Sequence, residues 1–360
     1  MNSCKQNQQI YLGGTVCLII EMAPMDGITN YIYRQVFAAH FGGVDRYYTP
    51  FISPNQTESL QGREKKELDP ANNRGLTVIP QLLTKNPNHF LWGARLAAEL
   101  GYQEVNYNLG CPSGTVVSKG KGAGMLRDTD YLDRTLEKIF ESCPIKVSVK
   151  TRIGIADPAE FEDILRVYMR YPISSLIIHP RVQKEFYKGP VHKDSFVLAA
   201  CNSAIPLVFN GNLTTVSEIA EIEKEFPGIQ GVMLGRGMLT DPSLAVKAKV
   251  ALQKKSSSDD AGKDADAHSR IPALLTMESF ADFHEDLVRR NAEVLFGDHQ
   301  VLHRLKEFWP YWYVNFTNGE KYWKKVRKAK HFSEYRDVVN RLFEEEALIP
   351  DAHFESYSIR

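Results

Sequence analysis

Eight short β-rich apolar runs recur along the first two thirds of the chain, with amphipathic segments set between them. The runs are Cys17–Met22, Arg46–Phe51, Thr77–Leu82, Glu104–Asn108, Ile145–Thr151, Ser175–His179, Pro206–Asn210 and Gln230–Leu234. Tyr31–Phe41, Asn88–Leu100, Tyr131–Glu141, Pro158–Tyr171 and Val216–Phe226 carry apolar residues at helical spacing. Strand–helix alternation predicts parallel βαβ units, and eight strands predict an α/β fold of the (β/α)8 TIM barrel type. A doubly wound sheet is the rival. No G-x-G-x-x-G follows an early strand, which disfavours a dinucleotide-binding Rossmann unit.

Lys254–Arg270 breaks the alternation: it is rich in Ser, Asp, Ala, Gly and Lys, with no large apolar residue, and reads as a flexible linker. Beyond it the periodicity is helical. Phe280, Phe283 and Leu287 share one face, Leu302, Leu305, Trp309 and Trp312 another, and Tyr335, Val338, Val339 and Leu342 a third. The expectation is a barrel followed by a small α-helical bundle, suiting a chain of 360 residues. Its 44 basic and 44 acidic side chains balance, so any nucleic-acid surface must be a local patch. No apolar stretch approaches the roughly twenty residues of a membrane span. Met1–Gly14 is too polar for a secretory signal. Cys4, Cys17, Cys111, Cys143 and Cys201 form no C-x-x-C pair, which fits a reducing cytoplasm and predicts no metal site.

Barrel chemistry sits at the carboxyl ends of the strands. Here those ends carry Ala23-Pro24-Met25-Asp26, Gln81, Asn108 with Cys111, Lys150 with Arg152, His179 with Arg181, Asn210-Gly211-Asn212 and Gly235-Arg236-Gly237. Most supply donors, and Asp26 is the one carboxylate, so the mouth suits an anionic, acceptor-rich ligand. In Asn108-Leu109-Gly110-Cys111-Pro112 a thiol ends a strand, where it suits a proton donor or nucleophile, although free Cys also packs as a small hydrophobe. The glycines of the last two ends, with Arg236, suit a phosphate, or simply serve tight strand–helix turns. Lys150 interrupts an apolar strand. It would snorkel to solvent or hold negative charge on an electron-rich ring. His179 is a polar strand cap or, beside Lys150 and Arg181, a functional residue. Gln81 needs partners if buried, which a heterocycle edge would supply.

Six blocks in order resemble the tRNA-dihydrouridine synthases, which are FMN-dependent flavoproteins. They are Met22-Ala23-Pro24-Met25-Asp26-Gly27-Ile28-Thr29, Asn108-Leu109-Gly110-Cys111-Pro112, Lys121-Gly122-Ala123-Gly124-Met125-Leu126, Val149-Lys150-Thr151-Arg152, His179-Pro180-Arg181 and Gly235-Arg236-Gly237. The resemblance implies FMN as cofactor, NADPH or NADH as reductant and tRNA as substrate. It implies residues 1–15 as an N-terminal extension, 16–253 as an FMN-binding catalytic barrel, 254–271 as the linker and 272–360 as a helical tRNA-binding domain. Ala23, Pro24 and Met25 would lie along the flavin, Gln81 and Lys150 at its polar edge, and His179 beside it. Asn210, Asn212, Gly235 and Arg236 would hold its phosphate. Asn108 would orient the target uracil, Cys111 would be the general acid, and Arg152 and Arg181 would meet substrate. The chain departs from the family at Pro180-Arg181-Val182 and Pro190–Phe196, which weakens the expectation for Arg181, Lys184 and Lys193.

The implied reaction follows from uracil, whose C5=C6 bond is conjugated to the C4 carbonyl. Hydride passing from flavin N5 to C6 leaves enolate character, and a proton from Cys111 completes C5. The base must leave its stack, which costs a few kcal/mol. From Arg304 to Arg341 there are ten Lys/Arg against four acids, interleaved with Trp309, Trp312 and Trp323. Spacing alone favours an aromatic core with a solvated basic face. The resemblance turns Lys321, Lys324 and Lys325 into tRNA contacts. The tail around His303-Arg304-Leu305-Lys306 and Trp309 is similar to the bacterial C-type subgroup, whose target is position 16 of the D-loop. A monomer is expected. Two rivals stay open: an FMN barrel dehydrogenase acting on a free pyrimidine, as dihydroorotate or dihydropyrimidine dehydrogenases do, and a non-catalytic RNA-binding protein.

Overall fold

The computed structural model describes residues 18–258, 275–350 and 352. Its strands are β1 (Ile19–Met22), β2 (Arg46–Tyr48), β3 (Val78–Ile79), β4 (Gln81–Leu82), β5 (Glu104–Leu109), β6 (Lys146–Arg152), β7 (Leu176–His179), β8 (Leu207–Phe209) and β9 (Gly231–Leu234). They form one sheet in the order β3-β2-β1-β9-β8-β7-β6-β5-β4, and its registered pairs run parallel. The two ends of that order are neighbours in sequence, separated only by Pro80. β3 and β4 are therefore one barrel strand interrupted by a residue with no N–H to give. Eight strands close the (β/α)8 barrel that the alternation predicts.

Side chains alternate across each strand. On β5, Tyr107 faces outward against Phe90 of helix Pro87–Glu99, with ring centroids 4.7 Å apart. Asn106 and Asn108 therefore face inward. On β6, Thr151 meets the Tyr168 hydroxyl of helix Phe161–Tyr168 at 2.9 Å, which leaves Ser148, Lys150 and Arg152 on the inner face. The apolar part of the interior is Ala23, Tyr48, Ile79, Ile177, Val208 and Met233. The outer helices start where the sequence offers caps. Asn86 accepts from Asn88 N–H ahead of Pro87, and Asp128 accepts from Tyr131 N–H to open Thr129–Ser142. Lys193–Asn202 is a further helix that periodicity did not single out.

The chain packs as two compact units. The first holds the residues up to Asp26, Asp45–Asn212 and Glu221–Met233; the second holds Gly27–Val44, Leu213–Ala220 and the chain from Leu234 onward. Helix Leu244–Ser258 carries regular structure into the expected linker, whose remainder lies outside the described residues, as does the 1–15 extension. In the second unit, helix Met277–Val294 buries Phe280, Phe283, His284 and Leu287. Phe308 stacks on Trp312 at 4.9 Å, and Trp309 donates its indole N–H to the Tyr335 hydroxyl at 3.0 Å. Trp309 and Trp312 are wholly buried, so these two aromatics are core and not stacking surface. Of the third predicted face, Tyr335, Val339 and Leu342 are buried and Val338 is half-buried.

His284 lies 2.6 Å from the Tyr335 hydroxyl, and burial, with Arg336 nearby, pushes its pKa down to about 3. The unfolded chain takes up this proton below about pH 6.5, whereas the folded chain stays neutral. Stability present above pH 6.5 is thus lost as pH falls toward 3. In urea titrations at pH 7 and pH 5, His284→Gln should lose about 2 kcal/mol less on acidification than the parent chain.

Candidate active site

The site is built on the inner face of the first unit, where a line of amides crosses three strands. Ser148 Oγ lies 3.1 Å from Asn106 Nδ2, which donates to it. Asn106 Oδ1 accepts from Gln81 Nε2 at 2.8 Å, and Gln81 Oε1 accepts from Asn108 Nδ2 at 2.8 Å. Asn108 Oδ1 then accepts from the backbone N–H groups of Gly110 (3.1 Å) and Cys111 (2.9 Å). All four side chains are buried, so each bond replaces water that cannot enter. Thr49 Oγ1 takes the Gln81 N–H at 3.0 Å.

The Cys111 turn is gripped from other sides as well. Arg152 Nε donates to Gly110 O at 3.1 Å, Gln183 Nε2 donates to Pro112 O at 3.0 Å, and Ala123 N–H donates to Cys111 O at 3.1 Å. Gly122 allows that approach: it has φ +56°, and a Cβ there would stand 2.9 Å from Cys111 O. The thiol itself is free and half-buried. Burial pushes its pKa up, against the Ser113 backbone N–H and the charges of Lys150 and Arg152, while Asp26 adds to the rise. A thiol held this way keeps its proton at neutral pH, which suits an acid rather than a nucleophile.

Lys150 is half-buried on the inner face of β6, and no hydrogen bond or ion pair engages its ammonium among the described residues. Enclosure by protein, with repulsion from Arg152, pulls its pKa down to about 7. The Cys111 thiol and the Glu21 carboxyl act on it in the opposite sense. Lys150 thus offers a donor to the polar edge of a planar, acceptor-rich ring, whereas Gln81 is buried beside it with both ends of its amide bonded to Asn106 and Asn108. Ala23, Pro24 and Met25 stand at the end of β1 with Pro24 and Met25 part-exposed. These residues fit a flavin.

The other expected residues are placed differently. Arg152 is buried and donates to Val182 O at 2.9 Å and Phe186 O at 2.5 Å besides Gly110 O, with its guanidinium over the Tyr187 ring at 5.3 Å. Arg181 is also buried. It donates through Nε to Gly189 O at 2.6 Å, and through one amino group to His179 Nε2 at 3.0 Å and Asn212 Oδ1 at 3.3 Å. The substrate contacts expected of Arg152 and Arg181 give way to bracing, because a buried guanidinium must spend its donors on nearby carbonyls. Arginine only donates, so His179 Nε2 is an acceptor and Nδ1 carries the hydrogen. Asn108 is likewise spent on Gln81 and the Cys111 turn. Asn210 donates to Met233 O at 2.8 Å. Lys184 is exposed, and Lys193 pairs with Glu225 at 2.6 Å. In the second unit, Gly235 and Arg236 open the short helix Arg236–Thr240, and Gly237 is there for packing, since a Cβ would meet Leu213 O at 2.3 Å. Lys321, Lys324 and Lys325 are exposed on helix Gly319–Lys328. Among the described residues no group of three or more His, Cys, Asp or Glu could hold a metal, and no helix is long and apolar enough to cross a membrane. Asn106, Ser148 and Gln183 were missed from sequence. For Asn106 and Ser148 the signal was polar residues two apart on strands whose intervening residues are apolar; Gln183, in the short turn Gln183–Glu185, carried no such signal.

A parallel barrel with a proton-holding thiol and an unpartnered lysine on its inner face has the makings of an oxidoreductase that works on a bound ring. The family model described as dihydrouridine synthase matches residues 21–332, and the chain belongs to that family. It is an FMN-dependent oxidoreductase. The tRNA-dihydrouridine(16) synthase of Cupriavidus necator is 29% identical over 235 residues, covering 63% of this chain and 72% of that protein. The protein of the same name from Pseudomonas putida is 29% identical over 240 residues, with 64% and 73% covered. The tRNA-dihydrouridine synthase B of Pasteurella multocida is 25% identical over 238 residues, with 66% and 70% covered. Among solved structures, morphinone reductase superposes with a TM-score of 0.47 at 10% identity, covering 67% of this chain and 88% of its own.

Removing the second link of the amide line tests it. Asn106→Leu leaves Gln81 Nε2 without its acceptor in a dry interior and should cost about 1–3 kcal/mol in urea unfolding. An unchanged midpoint would show that the line holds nothing.

Proposed function

We propose that this chain reduces the C5=C6 bond of uridine in the D-loop of tRNA, drawing on NADPH or NADH, with Cys111 as the proton donor to C5. FMN, when bound, supplies the hydride that saturates C6. The observation that carries the reading is a half-buried thiol whose pKa burial raises, within electrostatic reach of an unpartnered lysine. Cys111 delivers its proton from Sγ to the face of the base presented to it. The Asn108 carboxamide fixes where that sulfur stands, by holding the two N–H groups of its turn. Arg152 and Gln183 keep the same turn from relaxing.

Ala23, Pro24 and Met25 are assigned to the flavin ring, Lys150 and Gln81 to its polar edge, and His179 to its flank. The Lys150 ammonium stabilises negative charge on the ring with no ion pair among the described residues to compete for it, although the Glu21 carboxyl acts on it. On the family likeness alone, Asn210, Asn212, Gly235 and Arg236 are assigned to the FMN phosphate. Residues 16–253 are proposed as the catalytic portion and 272–360 as the tRNA-binding portion, with exposed Lys321, Lys324 and Lys325 on the phosphate backbone. The relatives named for position 16 support that uridine as the target. A cytoplasmic monomer is part of the same proposal.

Cys111→Ala should keep the flavin spectrum and its reduction by NADPH, while dihydrouridine formation falls at least about a hundredfold. Full activity in that variant would remove the thiol from the reaction. Lys150 has a separate signature. Above pH 7 its ammonium must be recharged for the ring, so FMN affinity for the apoprotein should weaken from pH 7 to 9 by up to about tenfold per unit. Fluorescence titration of Lys150→Met should show weaker binding with most of that slope gone.

A further inference from the structure

The catalytic turn has neighbours that the mechanism does not use. Lys85 follows β4, and Lys119 and Lys121 lie in the segment that packs directly on Cys111. Their backbones are pinned. Tyr131 donates its hydroxyl to Lys85 O at 2.9 Å, while Lys119 N–H and Lys121 N–H both reach Val116 O at 3.2 Å. The next residues complete the link to the site, since Ala123 N–H holds Cys111 O. A Cβ at Gly120 would lie 3.6 Å from Lys85 Cδ and 4.0 Å from its Nζ, which brings the two loops together.

Among the described residues no hydrogen bond or ion pair engages these three ammonium groups. The acid that acts on Lys121, Glu64, is committed elsewhere: its oxygens accept from Ser53 N–H at 2.8 Å and Gln61 N–H at 3.0 Å. Burial, with the neighbouring charges of Lys119 and Lys85, pushes the Lys121 pKa down, while Glu64 acts in the opposite sense. Lys85 and Lys119 are exposed and Lys121 is half-buried. Such an open arrangement suits an extended chain of charges rather than a single small anion in a closed pocket.

We propose that Lys85, Lys119 and Lys121 bind successive phosphodiesters of the RNA strand that carries the target uridine into the barrel. The inference rests on the tRNA reading above. It adds a phosphate track on the catalytic unit, apart from the basic helix Gly319–Lys328. A base whose C5 meets Cys111 brings its own backbone phosphates to this rim, and each lysine's four-carbon stem gives the ammonium reach to follow them. The contacts are blind to sequence, so the track supplies affinity and strand position and leaves the choice of base to the site.

The test uses the FMN-loaded full chain and an unmodified tRNA transcript, with binding followed by fluorescence anisotropy across a salt series. The triple variant Lys85→Gln/Lys119→Gln/Lys121→Gln should bind at least about tenfold more weakly at 0.15 M salt, with the slope of log affinity against log salt shallower by about two. Flavin reduction by NADPH, which needs no RNA, should be unchanged. A second triple variant, Lys138→Gln/Lys146→Gln/Lys224→Gln, removes equal charge elsewhere on the first unit and should keep the parent slope. A parent slope in the first variant, or an equal loss in the second, overturns the track while leaving tRNA binding intact. A parent chain that binds tRNA without salt dependence overturns the track alone, and a parent chain that does not bind the transcript overturns the tRNA reading itself, and the track with it.

Discussion

One carboxamide oxygen organises the catalytic end of this barrel. Asn108 Oδ1 accepts two consecutive backbone N–H groups, and those two groups set the turn that presents the Cys111 thiol. The oxygen can do this because its own nitrogen is held by Gln81, Gln81 by Asn106, and Asn106 by Ser148. Breaking a bond in that line strands a polar atom in a dry interior, at about 1–3 kcal/mol. The barrel core is therefore divided. Its apolar side is Tyr48, Ile79, Ile177, Val208 and Met233, and its polar side is a rack of amides that locates the Cys111 thiol.

Electrostatics divides the labour in the same place. Burial favours the neutral form of both the thiol and the lysine: it raises Cys111 and lowers Lys150. Each also steadies the other's charged form, so neither titrates alone. Glu21 shares the interior. It accepts from the Tyr48 hydroxyl at 3.1 Å and faces Arg46 at 3.6 Å, and burial raises its pKa to about 7. The inner face thus carries three groups whose charge states burial has brought toward or beyond neutrality.

Much of this was legible in the sequence. The eight strands were read from short β-rich runs set between amphipathic segments, and each appears where the alternation placed it. Cys111, Gln81 and Lys150 were singled out because a thiol at a strand end, and an amide and a cation in apolar strands, are out of place there unless they meet something. Arg152 and Arg181 misled for a physical reason. A cation at a strand end looks the same in sequence whether it reaches outward or turns back, and only the carbonyls of Val182, Phe186 and Gly189 decide it. Helix Lys193–Asn202 escaped because its buried residues, Ser195, Phe196 and Ala199, form too small a stripe to announce themselves. The Asn106–Ser148 link was invisible because it joins residues 42 apart.

Pro80 carries one more implication. Where it breaks the third strand, the next amide, that of Gln81, finds no backbone acceptor on β2 and bonds to the Thr49 hydroxyl. The seam of the cylinder is thus stitched in part by a side chain and not wholly by main chain. A ring of strands joined only through backbone groups tolerates almost any residue at such a position. Backbone bonds such as Ile52 N–H to Gln81 O and Leu83 N–H to Ile52 O also cross this seam at 2.8 Å, but the Gln81 N–H itself rests on the Thr49 hydroxyl, which valine, matching threonine in shape, would not supply.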